Sequence, residues 1–163
     1  MPRKTYPIEN AQIVRRNFSG KGSQYNAEGR RNFCVILRPE DEQQMLAEGF
    51  NVKYFTNRDD PMERTPFIQV TVSFNPYPPQ IYTISGNKKN LLEEDDVKML
   101  DYTDIENVDL IIQPYHWELA SGKSGVKAYL KTMYVTLERD EFAEKYEKYI
   151  SDDSADEDVP FDL

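Results

Sequence analysis

The chain has 163 residues, 39% of them hydrophobic and 12% aromatic, with a formal net charge of −9. That length suits one domain with a single core, and no apolar run approaches the roughly 18 residues of a membrane span. A lone cysteine excludes an internal disulfide and any multi-cysteine metal site, and points to a reducing, cytoplasmic setting.

The charge is uneven. Residues 1–60 carry ten Lys/Arg against eight Asp/Glu, whereas residues 151–163 carry six acids and no base, and without that tail the remainder stands near −3. A generally basic nucleic-acid binder is excluded, and an acidic arm on a less acidic body is expected.

In chain order, residues 1–10 read as an N-terminal arm, because Pro2 and Pro7 oppose regular structure. Ala11–Phe18 reads as a first strand, Ser19–Gly29 as a flexible glycine-bearing loop, and Arg30–Arg38 as a second strand with a buried Phe33–Leu37 run. Pro39 followed by three acids starts a short helix that Gly49 stops. Phe50–Phe55 is expected as a strand. Phe67–Phe74 alternates cleanly, with Ile68, Val70, Val72 and Phe74 on one face and Gln69, Thr71 and Ser73 on the other. Three prolines in Asn75–Pro79 break it before Gln80–Ser85 resumes, and Gly86–Asn90 reads as a turn. Glu93–Asp101 is expected as a second helix, and Val108–Ile112 as a buried strand.

Tyr115–Leu137 then reads as a β-hairpin around a Gly-Lys-Ser loop. Its second strand faces Val126, Ala128 and Leu130 one way and Lys127, Tyr129 and Lys131 the other, until the apolar phase flips after Thr132. Such a flip requires a bulge or a coil. Asp140–Ile150 has helical spacing of Phe142, Tyr146 and Ile150, and Ser151–Leu163 reads as a disordered interaction tail. The order points to a mostly β domain over residues 11–150: an oligonucleotide/oligosaccharide-binding (OB)-like five-stranded barrel with short helical insertions and a C-terminal helix. A two-sheet sandwich is the alternative.

Enzymatic readings fare poorly. Gly122-Lys123-Ser124 is no phosphate loop, because the motif needs a glycine where Trp117 stands. Asp101, Asp104, Glu106 and Asp109 could serve a metal-dependent nuclease, yet a helix exit running into a strand lets only alternate members share a face. Cys34 and His116 have no partner pattern for nucleophilic chemistry. Neither cofactor nor metal is implied.

Basic and aromatic residues do interleave, as single-strand binding requires: rings stack on bases and cations follow phosphates. The candidates are Arg15, Arg16 and Phe18, then Tyr25, Arg30 and Arg31, then Lys53 and Tyr54. The hairpin adds Tyr115, Trp117, Lys123, Lys127, Tyr129 and Lys131.

Asp158-Val159-Pro160-Phe161 resembles the Asp-Ile-Pro-Phe ending of bacterial single-stranded DNA-binding proteins, and phage proteins of that function carry acidic, Phe-bearing tails. The body resembles the phage proteins at Asn17-Phe18-Ser19-Gly20, Tyr25-Asn26, Gly29–Phe33, Val108-Asp109-Leu110, Tyr115-His116-Trp117 and Gly125–Leu130. The resemblance implies an OB-type fold and sequence-independent binding of single-stranded DNA in phage or prophage replication or recombination. It also implies a tail, Asp156, Glu157, Asp158, Val159, Pro160 and Phe161, that recruits replication and recombination proteins and competes with DNA for the groove. Here Asp162-Leu163 follow the phenylalanine, which departs from the bacterial pattern. A virion structural protein is the alternative from another class. Self-association is left open.

Overall fold

The computed structural model describes residues 4–24, 26–75 and 77–139, and the expected C-terminal helix and acidic tail lie outside them. Nine strands are described: β1 Tyr6–Ile8, β2 Gln12–Asn17, β3 Arg31–Ile36, β4 Lys53–Thr56, β5 Arg64–Val72, β6 Gln80–Ser85, β7 Lys88–Leu92, β8 Ile105–Glu118 and β9 Ser124–Leu137. One helix, α1 Pro39–Ala47, begins at its proline and ends before Gly49 at φ 89°. The fold is mostly β and OB-like, as the element order suggested.

Five strands in a closed barrel is a count the structure corrects. The hydrogen-bonded path runs β1-β8-β9-β5-β3-β2 and does not close, with β4 added to β5, and β6 and β7 added beside β9. Its two ends are nevertheless consecutive in the chain. β1 pairs with β8, β2 pairs with β3, and between them the Ala11 N–H donates to the Val108 carbonyl at 2.7 Å. Covalent continuity therefore joins the ends that the ladder leaves open.

β1 also corrects the expected arm. Tyr6 and Ile8 are buried, and Pro7, with no N–H to give, sits on an edge strand where none is required. The acidic segment expected as a second helix is only a 3-10 turn at Val97–Asp101, although Val97 and Leu100 reach the core as expected. Lys88–Leu92 pairs with β6 as a strand, so the glycine turn shrinks to Gly86-Asn87.

β9 organises the sheet. β8 pairs along its whole length, while its other edge meets β5 at Ala128 and Tyr129 and β6 from Thr132 to Thr136. β5 and β6 are thus one strand line, opened by the proline-rich excursion between them. The expected phase flip is a bulge: Ile112 opposes Leu130 and Ile111 opposes Thr132, which leaves Lys131 unmatched. Leu130 and Met133 both stay in the core because the extra residue absorbs the change of phase. That core is a single cluster centred on fully buried Phe18, Phe33, Val35, Val70, Ile112 and Met133.

Candidate nucleic-acid interface

Because the inward positions of each strand fill the core, the alternate positions form one outer face. Register carries a polar row across it, from Asn17 through Asn32, Thr71 and Tyr129 to Gln113. One row further along β9, Lys127 lies opposite Tyr115, and Gly125 opposite Trp117. A Cβ on Gly125 would come within 2.7 Å of the Trp117 ring, so the indole lies directly across that backbone. Glycine at 125 is what lets it lie flat.

An open groove of about 970 Å³ runs over this face, between the β8–β9 hairpin, the β3–β5 surface and the Gly49–Lys53 segment leaving α1. Among the described residues, Arg30, Arg31, Lys53, Lys123 and Lys127 line it against a single acid, Glu94, and Phe74, Trp117 and Tyr129 supply rings. The hairpin turn that presents Lys123 is closed by the Leu119 N–H to the Lys123 carbonyl at 2.7 Å and by Gly122 at φ 92°. Around Tyr129 the groups are pre-arranged: Tyr115 meets it edge-on at 5.9 Å, and the Lys127 Nζ stands 5.2 Å from its ring centre.

The Ser19–Gly29 connection, expected to be flexible, is tied together by hydrogen bonds along its described residues. The Gly29 N–H donates to the Gly20 carbonyl at 2.8 Å, and the Asn26 side-chain amide donates to the carbonyls of Lys21, Ala27 and Arg30. The Asn32 amide donates to the Asn26 side-chain oxygen at 3.0 Å and anchors the loop to β3. Gly20 needs φ 74° here, and a Cβ on it would press the Gly29 backbone. This loop places Arg30 on the groove wall.

The fourteen sequence candidates separate under this geometry. Seven line the groove: Arg30, Arg31, Lys53, Trp117, Lys123, Lys127 and Tyr129. Tyr115 borders it through Tyr129, and Lys131 is the exposed bulge residue beyond. Phe18 is corrected to a core residue: it is fully buried and stacks on Phe33 at 5.2 Å, so no base can reach its ring. Arg16 gives its guanidinium to the Leu100 and Thr103 carbonyls, both at 2.7 Å, and holds the 3-10 turn. Arg15 sits outside the lining, over the Phe55 ring at 4.5 Å. Tyr54 is also outside: its hydroxyl donates to Glu42 and Arg64 covers its ring, and that hydrogen bond to a carboxylate, chiefly, raises its pKa. Tyr25 lies outside the described residues.

Sequence reasoning missed Asn32, Gln69, Thr71 and Phe74 in the lining. The signal was present in β5, whose polar alternation marks an outer face, but only the curvature of the sheet makes that face concave. Cys34 is buried, and burial pushes its thiol pKa up while nearby Arg15 and Lys53 pull it back. Two of the four carboxylates of the nuclease reading have structural partners: Asp101 accepts the Phe18 and Ser19 N–H groups and Asp109 accepts that of Asn10.

The family model of the phage ssDNA-binding domain matches residues 2–161. The single-stranded DNA-binding protein from bacteriophage Enc34, solved in complex with ssDNA, is similar in structure with a TM-score of 0.55 at 14% identity, covering 83% of this chain and 88% of that one. A C-terminal truncation of the same phage protein gives 0.54 at 12% identity, covering 83% and 87%. At these identities the likeness shows a shared fold. No curated protein matches the chain in sequence.

Proposed function

The chain belongs to the phage ssDNA-binding domain family, and from that premise we propose that the groove over β3, β5 and β9 is where it holds single-stranded DNA, without regard to base sequence. The observation that carries this reading is the lining: among the described residues five cations face one acid, and that acid is already paired, Arg31 to Glu94 at 2.9 Å. Lys and Arg neutralise phosphates, while Trp117 and Tyr129 offer flat faces on which any base stacks. The Gln69 amide adds adaptable hydrogen bonding on the groove floor.

Binding of a labelled oligo-dT tests it. Affinity falls as salt rises, with a log–log slope of about 0.7 per phosphate neutralised on a single strand. Tyr129→Ala weakens binding by about 1–3 kcal/mol at fixed salt. A flat salt dependence, or no binding at low salt, would sink the reading.

The acidic tail completes the proposal. Asp156, Glu157, Asp158, Val159, Pro160 and Phe161 act as an arm that competes with DNA for the basic groove and recruits replication or recombination proteins in the host cytoplasm. Flexible acidic segments find basic surfaces by long-range attraction, and an aromatic residue anchors them. Deleting 151–163 tightens binding to oligo-dT, and an unchanged or weaker affinity counts against the competition.

A further inference from the structure

The groove accounts for only part of the aromatic and basic outer face. The Lys131 bulge keeps Tyr129, Thr132 and Tyr134 all on that face while Met133 and Val135 fill the core. Tyr134 stands in register with Tyr82 of β6, and the two rings stack at 5.1 Å with an interplanar angle of 13°. The Lys89 Nζ lies 4.8 Å from the Tyr82 ring centre. Both tyrosines are half-buried, whereas their strand neighbours Ile81, Met133 and Val135 are buried. A ring pair with a cation on it, on the side of the sheet away from the core, also occurs in the groove, where Tyr115 meets Tyr129 edge-on beside Lys127.

The chain between the two places is suited to connect them. β5 leaves β9 at Tyr129 and β6 rejoins it at Thr132, so the proline-rich excursion emerges between the groove and the Tyr82–Tyr134 pair. Phe74 and Asn75 at its start line the groove, and Tyr77 in its middle is 87% exposed. Flanking prolines reduce the entropy lost when such a ring is held against a ligand. Lys131 is exposed on the strand beside it. Asp109, opposite Tyr134, is the acid in this row, and its carboxylate is engaged by the Asn10 N–H at 2.8 Å.

We propose that a bound single strand leaves the groove past Tyr77 and Lys131 and ends on a second stacking platform made by Tyr82, Tyr134 and Lys89. This rests on the groove reading and extends it. From Tyr129 to Tyr134 the separation along β9 is roughly 16 Å, at about 3.3 Å per residue, so the platform serves a different stretch of the strand from the one in the groove.

Oligo-dT of increasing length separates the two. In the full-length wild type, affinity rises first as the groove fills and again when the strand is long enough to reach the platform. A Tyr82→Ala, Tyr134→Ala double variant lacks the second rise: it binds the shortest oligonucleotides like wild type and the long ones roughly ten-fold more weakly. Because that variant removes half-buried rings, Tyr77→Ala with Lys89→Ala provides a second test at exposed positions, with a several-fold loss confined to long strands. Equal affinity of variants and wild type at every length overturns the proposal, as does an equal loss at every length, which marks a folding defect. A wild type that binds no oligonucleotide at low salt overturns the groove reading, and this extension with it.

Discussion

The chain writes Arg-Arg-Asn-Phe twice, at 15–18 and 30–33, and the two copies lie on neighbouring antiparallel strands. Two members behave alike. Asn17 and Asn32 pair across the ladder, and Phe18 and Phe33 stack in the core with no exposed surface. The arginines part company. The first copy sits in a register shift where Arg15 takes φ 51°, so Arg15 is turned onto Phe55 and Arg16 is turned onto the carbonyls of the 3-10 turn. The second copy enters a regular ladder, which leaves Arg30 exposed on the groove wall and Arg31 bridging the Phe18 carbonyl and Glu94. Identical tetrads thus become a structural brace and part of the groove lining because one strand bulges where the other does not.

Substitutions can break that contrast. The largest effect belongs to what the copies share: Phe33→Ala and Phe18→Ala each cost about 3–5 kcal/mol in denaturant unfolding, as buried aromatic truncations do. If one of the two proves nearly silent, the paired-core account fails. Next comes Arg16→Ala, which strips the donor from two carbonyls and lowers stability by about 1–3 kcal/mol, while the salt slope of DNA binding stays where it was. A changed slope would put Arg16 among the phosphate contacts instead.

Arg30→Ala reverses the pattern. Stability stays within about 0.5 kcal/mol of wild type, because the side chain is exposed. The log–log salt slope drops by about 0.7, one phosphate's worth. The smallest effect is that of Glu94→Gln. With Glu94 exposed, the pair with half-buried Arg31 contributes about 0–1 kcal/mol, so folding barely changes, and Arg31 becomes available to a phosphate. Titration at low salt then shows a few-fold tighter binding that fades as salt rises. Weaker binding would mean that Glu94 orients Arg31 for DNA rather than restraining it.

Much of this was legible beforehand. Alternation in β5 and β9, the proline-started helix, the broken strand and the bulge near Thr132 all follow from local periods and turn residues, which survive any global arrangement. Of the seven candidates that line the groove, four lie in the hairpin, where Lys127 and Tyr129 alternate against an apolar face. Phe18 misled because a strand-end phenylalanine next to arginines looks the same whether it points in or out. The arm at Tyr6–Ile8 misled because Pro7 argues against a strand in general but not against an edge strand. Asn32, Gln69 and Thr71 were passed over because polar residues on an outer face ordinarily mean solvent.

By itself, then, the sequence determined the class of the protein: a β-rich body with paired cations and rings, and an acidic tail that resembles those of single-strand binders. Periodicity and composition are local properties, and they carry that much. Tertiary structure alone decided which rings face outward together, that Glu94 sits among the groove's cations, and that Gly125 makes room for Trp117. Those facts depend on register between strands far apart in the chain and on the curvature of the sheet, and no window along the sequence contains either.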